Sequence, residues 1–203
     1  MSQLQTQSAG SPLERNVVKW QGFCGSCWAF SATAAVEPFH AVARGRLFSL
    51  YAQQITDCVR SSIDGGWVSE AWNYLIKHGL IVGGFYLYTS GTVKISGTCK
   101  YSYTYKPQFK TSGQYYVNIS PTTAAMILAV NIEPVSVGID ADSAMFVTHT
   151  SGVTTGRPAE SICTMLWSWL VMEPMLPHGN YWLVRNSRGE KGYVQIGCWR
   201  LRN

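Results

Sequence analysis

The sequence predicts an α+β fold, with a helical front half and a β-rich back half meeting across a cleft. Two observations carry this. Residues 26–44, "SCWAFSATAAVEPFHAVAR", are rich in Ala and long apolar side chains, the composition of a helix that buries most of its surface. After about residue 105 the texture changes to "GQYYVNI", "PVSVGI", "NYWLVRNS" and "GYVQIGCW". These are short β-branched and aromatic runs parted by Gly, Pro and Asn, the pattern of strands. Helices grouped ahead of strands mark an α+β arrangement, and clefts between such layers hold ligands. The 203 residues then form one domain of two lobes, about 1–107 and 108–203.

Each front element has its own signal. Residues 1–20 read as extended and loop-like. Gly45 ends the first helix, and Pro38 predicts a kink or an early stop inside it. "SLYAQQITDC" (49–58) predicts a second helix with Ser49 as N-cap. "VSEAWNYLIKHG" (68–79) predicts a third, with apolar residues at 71, 72, 75 and 76 and a Gly stop. "SIDGGW" (62–67) is the loop between them.

Composition excludes several classes. Hydrophobic residues make up 46 % and charged residues 13 %, which supplies a core and argues against disorder. The net charge of +5 comes from scattered residues such as Arg44, Arg46, Lys94, Lys100, Lys106 and Lys110. Scattered charge is a solvated surface, so no nucleic-acid partner is expected. The longest apolar run, 162–172, is too short for a bilayer, which needs about 20 residues. No charged-then-apolar leader opens the chain, which begins "MSQLQTQSAGSP". The six cysteines are 24, 27, 58, 99, 163 and 198. A single C-x-x-C with no second ligand pair suits disulfides better than zinc, so no metal or cofactor is expected. Disulfides imply an oxidising compartment.

The chemistry centres on residues 21–33, "QGFCGSCWAFSAT". Cys27 falls at the start of the first helix. Unpaired N–H groups and the positive end of the helix dipole favour a thiolate there. A thiolate attacks a carbonyl carbon, and the developing oxyanion needs donors. The Gln21 side-chain amide and the Cys27 backbone N–H can converge on one oxygen. These are the parts of an acyl-transfer site.

"QGFCGSCWAFS" resembles the active-site segment of papain-like cysteine proteases, the family that includes the cathepsins. "AQQITDC", "DGGW", "PVSVGID", "SGV", "NYWLVRNS" and "GEKGYVQI" extend the likeness over most of the chain. The resemblance implies a two-lobed papain-like fold and a cysteine-type endopeptidase lineage. It implies Cys27 as nucleophile, Gln21 in the oxyanion hole and Asn186 as orienter of the base. It implies Gly65 and Gly66 as contacts to substrate backbone and Trp67 as a wall of the cleft. Trp28 is a further substrate-side candidate, and both tryptophans read equally well as core aromatics. In isolation Gln21 reads as surface and Asn186 as a strand-end turn. The resemblance also implies a Cys58–Cys99 disulfide, peptide or protein substrates, cystatin-like inhibitors, a monomer, and a lysosomal, vacuolar or secreted location.

The family's base is missing. Its histidine precedes the asparagine strand in a segment resembling "NHAVxxVGYG", where this chain has "ICTMLWSWLVMEPMLP". The histidines are 40, 78, 149 and 178. His40 lies roughly 20 Å along the helix from Cys27. His78 ends another helix, where the dipole favours a cation. His178 lies about 26 Å from Asn186 if one strand joins them. His149 remains as a weak fallback.

Codon arithmetic suggests why. Residues 164–173 can be written ACC ATG CTG TGG TCG TGG TTG GTT ATG GAA. Read from the last base of the first codon, this gives His-Ala-Val-Val-Val-Val-Gly-Tyr-Gly, the family segment. Met and Trp have single codons, so the agreement is constrained. The expectation is a segment out of frame over about 157–177, with the histidine codon spanning Thr164 and Met165. Cys163 is then an accident of frame, and Cys198 has no assigned partner. Two further departures stand nearby: Ile63 replaces the family's partner for Cys24, and Arg188 replaces a tryptophan that shields the Asn–His bond. Trp167, Trp169 and Met172 would overpack a strand shaped for valines and glycine. Without imidazole, loss of acid–base help lowers rate by about 10²–10⁴-fold. The alternatives are a pseudoprotease that binds without cutting and, remotely, a C-x-x-C thiol–disulfide oxidoreductase.

Overall fold

The computed structural model describes residues 17–45, 47–59, 65–81, 86–101, 117–120, 122–140, 150–154, 167–173, 181–189 and 192–197. Helix α1 spans Cys27–Arg44 and ends at Gly45, whose φ of 65° is the left-handed stop that glycine takes without strain. The expected interruption at Pro38 does not occur. Proline has no N–H to give the carbonyl of Ala34, four residues back. Arg185 Nη2 donates to that carbonyl instead, so the helix continues with its acceptor satisfied.

Helix α2 is shorter than expected, Gln53–Cys58, and its N-cap is Ala52 rather than Ser49. The cause lies just upstream, at Leu50. The Leu50 N–H donates to Glu37 Oε1 at 2.8 Å, and the Leu50 carbonyl accepts from Lys19 Nζ. That backbone is tied across to α1 and cannot coil. Helix α3 runs Val68–His78 and stops at Gly79, whose N–H reaches Leu75 O at 2.8 Å. Its start is held by Glu70, whose Oε2 accepts from the Trp67 N–H at 3.1 Å. Ala71 and Leu75 turn into the core. Two helices were not anticipated: α4 at Ser90–Val93 and α5 at Thr123–Ile132. The Thr122 hydroxyl caps α5 by accepting from the Ala125 N–H at 3.3 Å.

The strands are β1 (Val135–Asp140), β2 (Val153–Thr154), β3 (Trp167–Glu173), β4 (Tyr181–Arg185) and β5 (Tyr193–Gly197). They form one sheet in the order β1-β3-β4-β5-β2. All pairs are antiparallel except β2 with β5. The expected strand "GQYYVNI" is not found: 113–116 lie outside the described residues, and 117–119 form no strand. The segment expected to be out of frame supplies β3, between β1 and β4, with Gly138 opposite Trp169 and Met172 opposite Val184. The side chains of β3 lie outside the described residues, and with them the expected overpacking.

Helix α1 is the axis of the molecule. It packs on α2 and α3 on one side and on β1 and β3 on the other. Trp28, Ala29, Phe30, Ala32 and Val36 join Leu50, Ile55, Leu75 and Leu80 in one buried cluster. Each large member contributes about 1.5–3 kcal/mol of burial. A second tie crosses from the front of the chain to the end of β4. Trp20 bridges Arg188, the Gln21 N–H reaches Ser187 O at 2.8 Å, and the Gly189 N–H reaches Lys19 O at 3.1 Å. A Cys58–Cys99 disulfide joins the end of α2 to the segment after α4. No described helix is long and apolar enough to cross a membrane.

Candidate active site

Cys27 is the first residue of α1 and is 9 % exposed. No acidic residue occupies the first helical turn, so nothing there cancels the positive end of the dipole. Ser26, the N-cap, makes no side-chain cap bond. Its hydroxyl lies 2.7 Å from the Tyr88 hydroxyl, which also donates to the Gln21 carbonyl at 2.8 Å. One phenol thus clamps both ends of loop 21–26. The Tyr88 pKa is pushed well above the usual tyrosine value: burial raises it, the Ser26 bond offsets part, and the Cys24 and Cys27 sulfurs add to it. The loop also needs glycine. Gly22 has φ +65°, and a Cβ there would meet Gly91 O at 2.4 Å. The Phe23 N–H donates to that same oxygen at 3.1 Å.

Gln21 is 5 % exposed. Its Nε2 donates to Cys24 O at 2.9 Å, and its Oε1 accepts from the Ser187 hydroxyl. The Ser187 N–H in turn donates to Asn186 Oδ1 at 2.7 Å. The Asn186 N–H reaches Gly192 O at 3.1 Å, anchoring the end of β4 to the start of β5. Gln21 and Asn186, 165 positions apart in sequence, therefore meet through one serine. Asn186 is buried although Arg188, in the place of the shielding tryptophan, is exposed.

Beneath this pair lies a buried charge cluster. Glu37 is 1 % exposed. Its carboxylate binds Lys19 Nζ, the Leu50 N–H and, at 3.4 Å, Arg185 Nη1. Lys19 sits two residues before Gln21, Arg185 one before Asn186, and Glu37 on the nucleophile's helix. The cluster holds three segments of the site to one point. Burial lowers the Lys19 pKa, an effect that Glu37 partly reverses. Lys19, Glu37 and Arg185 line one recess together with Phe30, Asn186 and Ser187.

The remaining candidates fall as follows. Gly65 has φ +155°, which favours glycine, and with Gly66 it is half-buried. Trp67 is 66 % exposed, so it is not a core aromatic. Trp28, expected on the substrate side or in the core, is 1 % exposed and belongs to the core cluster. His78 packs between Tyr74 and Tyr101, with ring centroids 4.8 and 4.9 Å away. Burial and then Lys77 lower its pKa, against the favour expected from the helix end. The His40 backbone is helical. The His40 side chain and all of His149, His178, Thr164, Met165, Cys163 and Cys198 lie outside the described residues.

Sequence reading missed Lys19, Glu37, Arg185 and Tyr88. Glu37 carried a signal, since it is a lone carboxylate in an Ala-rich apolar helix and such a group needs a cation. Its partners, 18 and 148 positions away, carried none.

A cysteine at the start of a buried helix, and a glutamine and an asparagine joined through one serine, sit on an α+β frame. The sequence model of the papain family cysteine proteases matches residues 10–200. Macrodontain-1 of Ananas macrodontes is 33 % identical over 187 residues, covering 89 % of this chain and 83 % of its own. Cathepsin S of Bos taurus is 34 % identical over 195 residues, covering 88 % of this chain and 55 % of its own. Cysteine proteinase COT44 of Brassica napus is 34 % identical over 192 residues, covering 89 % and 56 %. A solved structure of recombinant stem bromelain precursor superposes with a TM-score of 0.73 at 30 % identity, over 90 % of this chain and 60 % of that one. The chain belongs to the papain family of cysteine proteases and has its α+β fold. It spans little more than half the length of two of these relatives.

Proposed function

We propose that this chain is a cysteine endopeptidase by lineage that binds peptides in the cleft and, with the sequence it has, cleaves them at a small fraction of a complete relative's rate. The observation that carries the reading is the double tie of Gln21, on the loop that leads into α1, to Ser187 at the end of β4. Cys27 is the nucleophile. The second Gln21 Nε2 proton and the Cys27 N–H are the oxyanion donors. Asn186 Oδ1, which already accepts from Ser187, has a second lone pair for the base it would orient. Gly65, Gly66 and Trp67 flank the bound peptide, and cystatin-like inhibitors would contest the same cleft.

The sequence supplies no imidazole at the family position, since Thr164 and Met165 stand there. Cys27 then lacks the base that takes its proton and the acid that protonates the leaving amine. The thiolate must come from the helix dipole alone. The disulfide supports a lysosomal, vacuolar or secreted home.

The test pairs a fluorogenic dipeptidyl amide with the matching peptide aldehyde, which a thiol captures reversibly as a hemithioacetal. Capture that disappears in Cys27→Ala, with amide turnover near background, is the expected result. Turnover in the ordinary enzyme range of about 1–10³ s⁻¹ would contradict the reading and place a working base elsewhere, with His149 first to be replaced.

A further inference from the structure

Cys24 takes no part in the acyl-transfer reading, yet it lies three residues before the nucleophile on the loop that carries it. Cys24 and Cys27 are both thiols in this structure, 4 % and 9 % exposed, while Cys58 and Cys99 are joined.

Three observations bring the two sulfurs into one chemistry. The spacing Cys24-Gly25-Ser26-Cys27 leads directly into the first turn of α1, where the Ala29 and Phe30 N–H groups close on Ser26 O at 2.9 and 3.1 Å. The chain bends at Cys24 and Gly25 just ahead of α1, and residues three apart across a tight bend have Cα atoms within about 7 Å, the reach of a disulfide. The Tyr88 hydroxyl lies 2.7 Å from the hydroxyl of Ser26, the residue between the bend and Cys27, and so holds that short span in place. The Cys58–Cys99 bond shows that oxidising chemistry of the same kind reaches this chain.

We propose that Cys24 and Cys27 form a reversible dithiol–disulfide couple that takes a small-molecule disulfide as oxidant and locks the nucleophile. The Cys27 thiolate, favoured by the helix end and the more exposed of the two, attacks one sulfur of the small disulfide RSSR. A Cys27–SR mixed disulfide forms and one RS⁻ leaves. The Cys24 thiolate then attacks the Cys27 sulfur, forms the Cys24–Cys27 bond and expels the second RS⁻. Two protein thiols are oxidised, one small disulfide is reduced, and the two released protons match the two RS⁻ ions. A small dithiol reverses the sequence. The couple regulates Cys27 and is independent of peptide turnover.

The experiment equilibrates the full chain with reduced and oxidised glutathione, quenches with acid, alkylates and maps the peptides by mass. The expected product is a Cys24–Cys27 crosslink, lighter by two hydrogens, with Cys58–Cys99 unchanged and aldehyde capture lost until dithiothreitol restores it. In Cys24→Ser, Cys27 should stop at the glutathione mixed disulfide. Wild-type Cys27 held as that mixed disulfide with Cys24 alkylated would overturn the proposal. So would a crosslink from Cys24 to Cys163 or Cys198, or no oxidation of either thiol. Because the readout is mass, it stands even if the chain cleaves nothing.

Discussion

The two halves of the site contrast in how they are built. The front half, loop 21–26 with the start of α1, is local: its donors and nucleophile lie within seven residues, from Gln21 to Cys27. Tyr88 and Gly91 close on it from one direction. The back half is a strand assembly in which β4 leads into Asn186 and β3 pairs beside it. A local unit survives changes elsewhere in the chain. A strand's contribution depends on its register, since every side chain along it shifts together. The difference teaches that a change confined to the strands leaves the loop that carries Cys27 intact.

The sharpest way to break this contrast is to repair one half only. Replacing residues 164–172 with His-Ala-Val-Val-Val-Val-Gly-Tyr-Gly should raise amide turnover by about 10²–10⁴-fold. An unchanged rate would show that the front half is defective too. The next effect is on the tie between the halves. Glu37→Gln leaves Lys19 and Arg185 without their buried counter-charge and should lower stability by about 3–5 kcal/mol in urea unfolding. A loss below about 1 kcal/mol would mean the cluster is solvated and ties nothing.

Smaller effects probe the front half alone. Gly22→Ala puts a Cβ against Gly91 O in a left-handed conformation and should destabilise by about 1–3 kcal/mol, slowing Cys27 alkylation while leaving the sheet intact. Tyr88→Phe removes bonds to Gln21 and Ser26 and should lower stability at neutral pH by about 1 kcal/mol. The pH sign follows from the raised Tyr88 pKa. Its stabilising contribution is fully present below pH 10.0, the unfolded value, and is lost as pH rises above it. Tyr88→Phe should therefore flatten the alkaline edge of the stability profile, measured by thermal melts from pH 9 upward.

Much of this was legible because it is local. "QGFCGSCWAFS" names the loop and the helix start, and Gly45 and Gly79 end their helices as read. Reading failed where distant residues intervene. Pro38 should have broken α1, but Arg185, 151 positions from Ala34, takes the orphaned carbonyl. Ser49 should have capped α2, but Glu37 holds the backbone at Leu50. Helix α5 was passed over because "TAAMILAVNI" is apolar almost throughout and shows no polar face. Strands β1, β4 and β5 were readable from composition, whereas the order β1-β3-β4-β5-β2 comes from pairings no local window contains.

The most direct test of the central claim is the pH dependence of Cys27 alkylation, followed by mass in a Cys24→Ser background. A lone thiol at a helix start titrates once, so its rate should climb in a single step toward a plateau on the alkaline side, as thiolate replaces thiol. A thiolate–imidazolium pair would instead hold a high rate from mildly acidic pH onward. A single step supports a chain with its nucleophile in place and its base missing. A plateau already present in acid would contradict it and show that an imidazole stands beside Cys27.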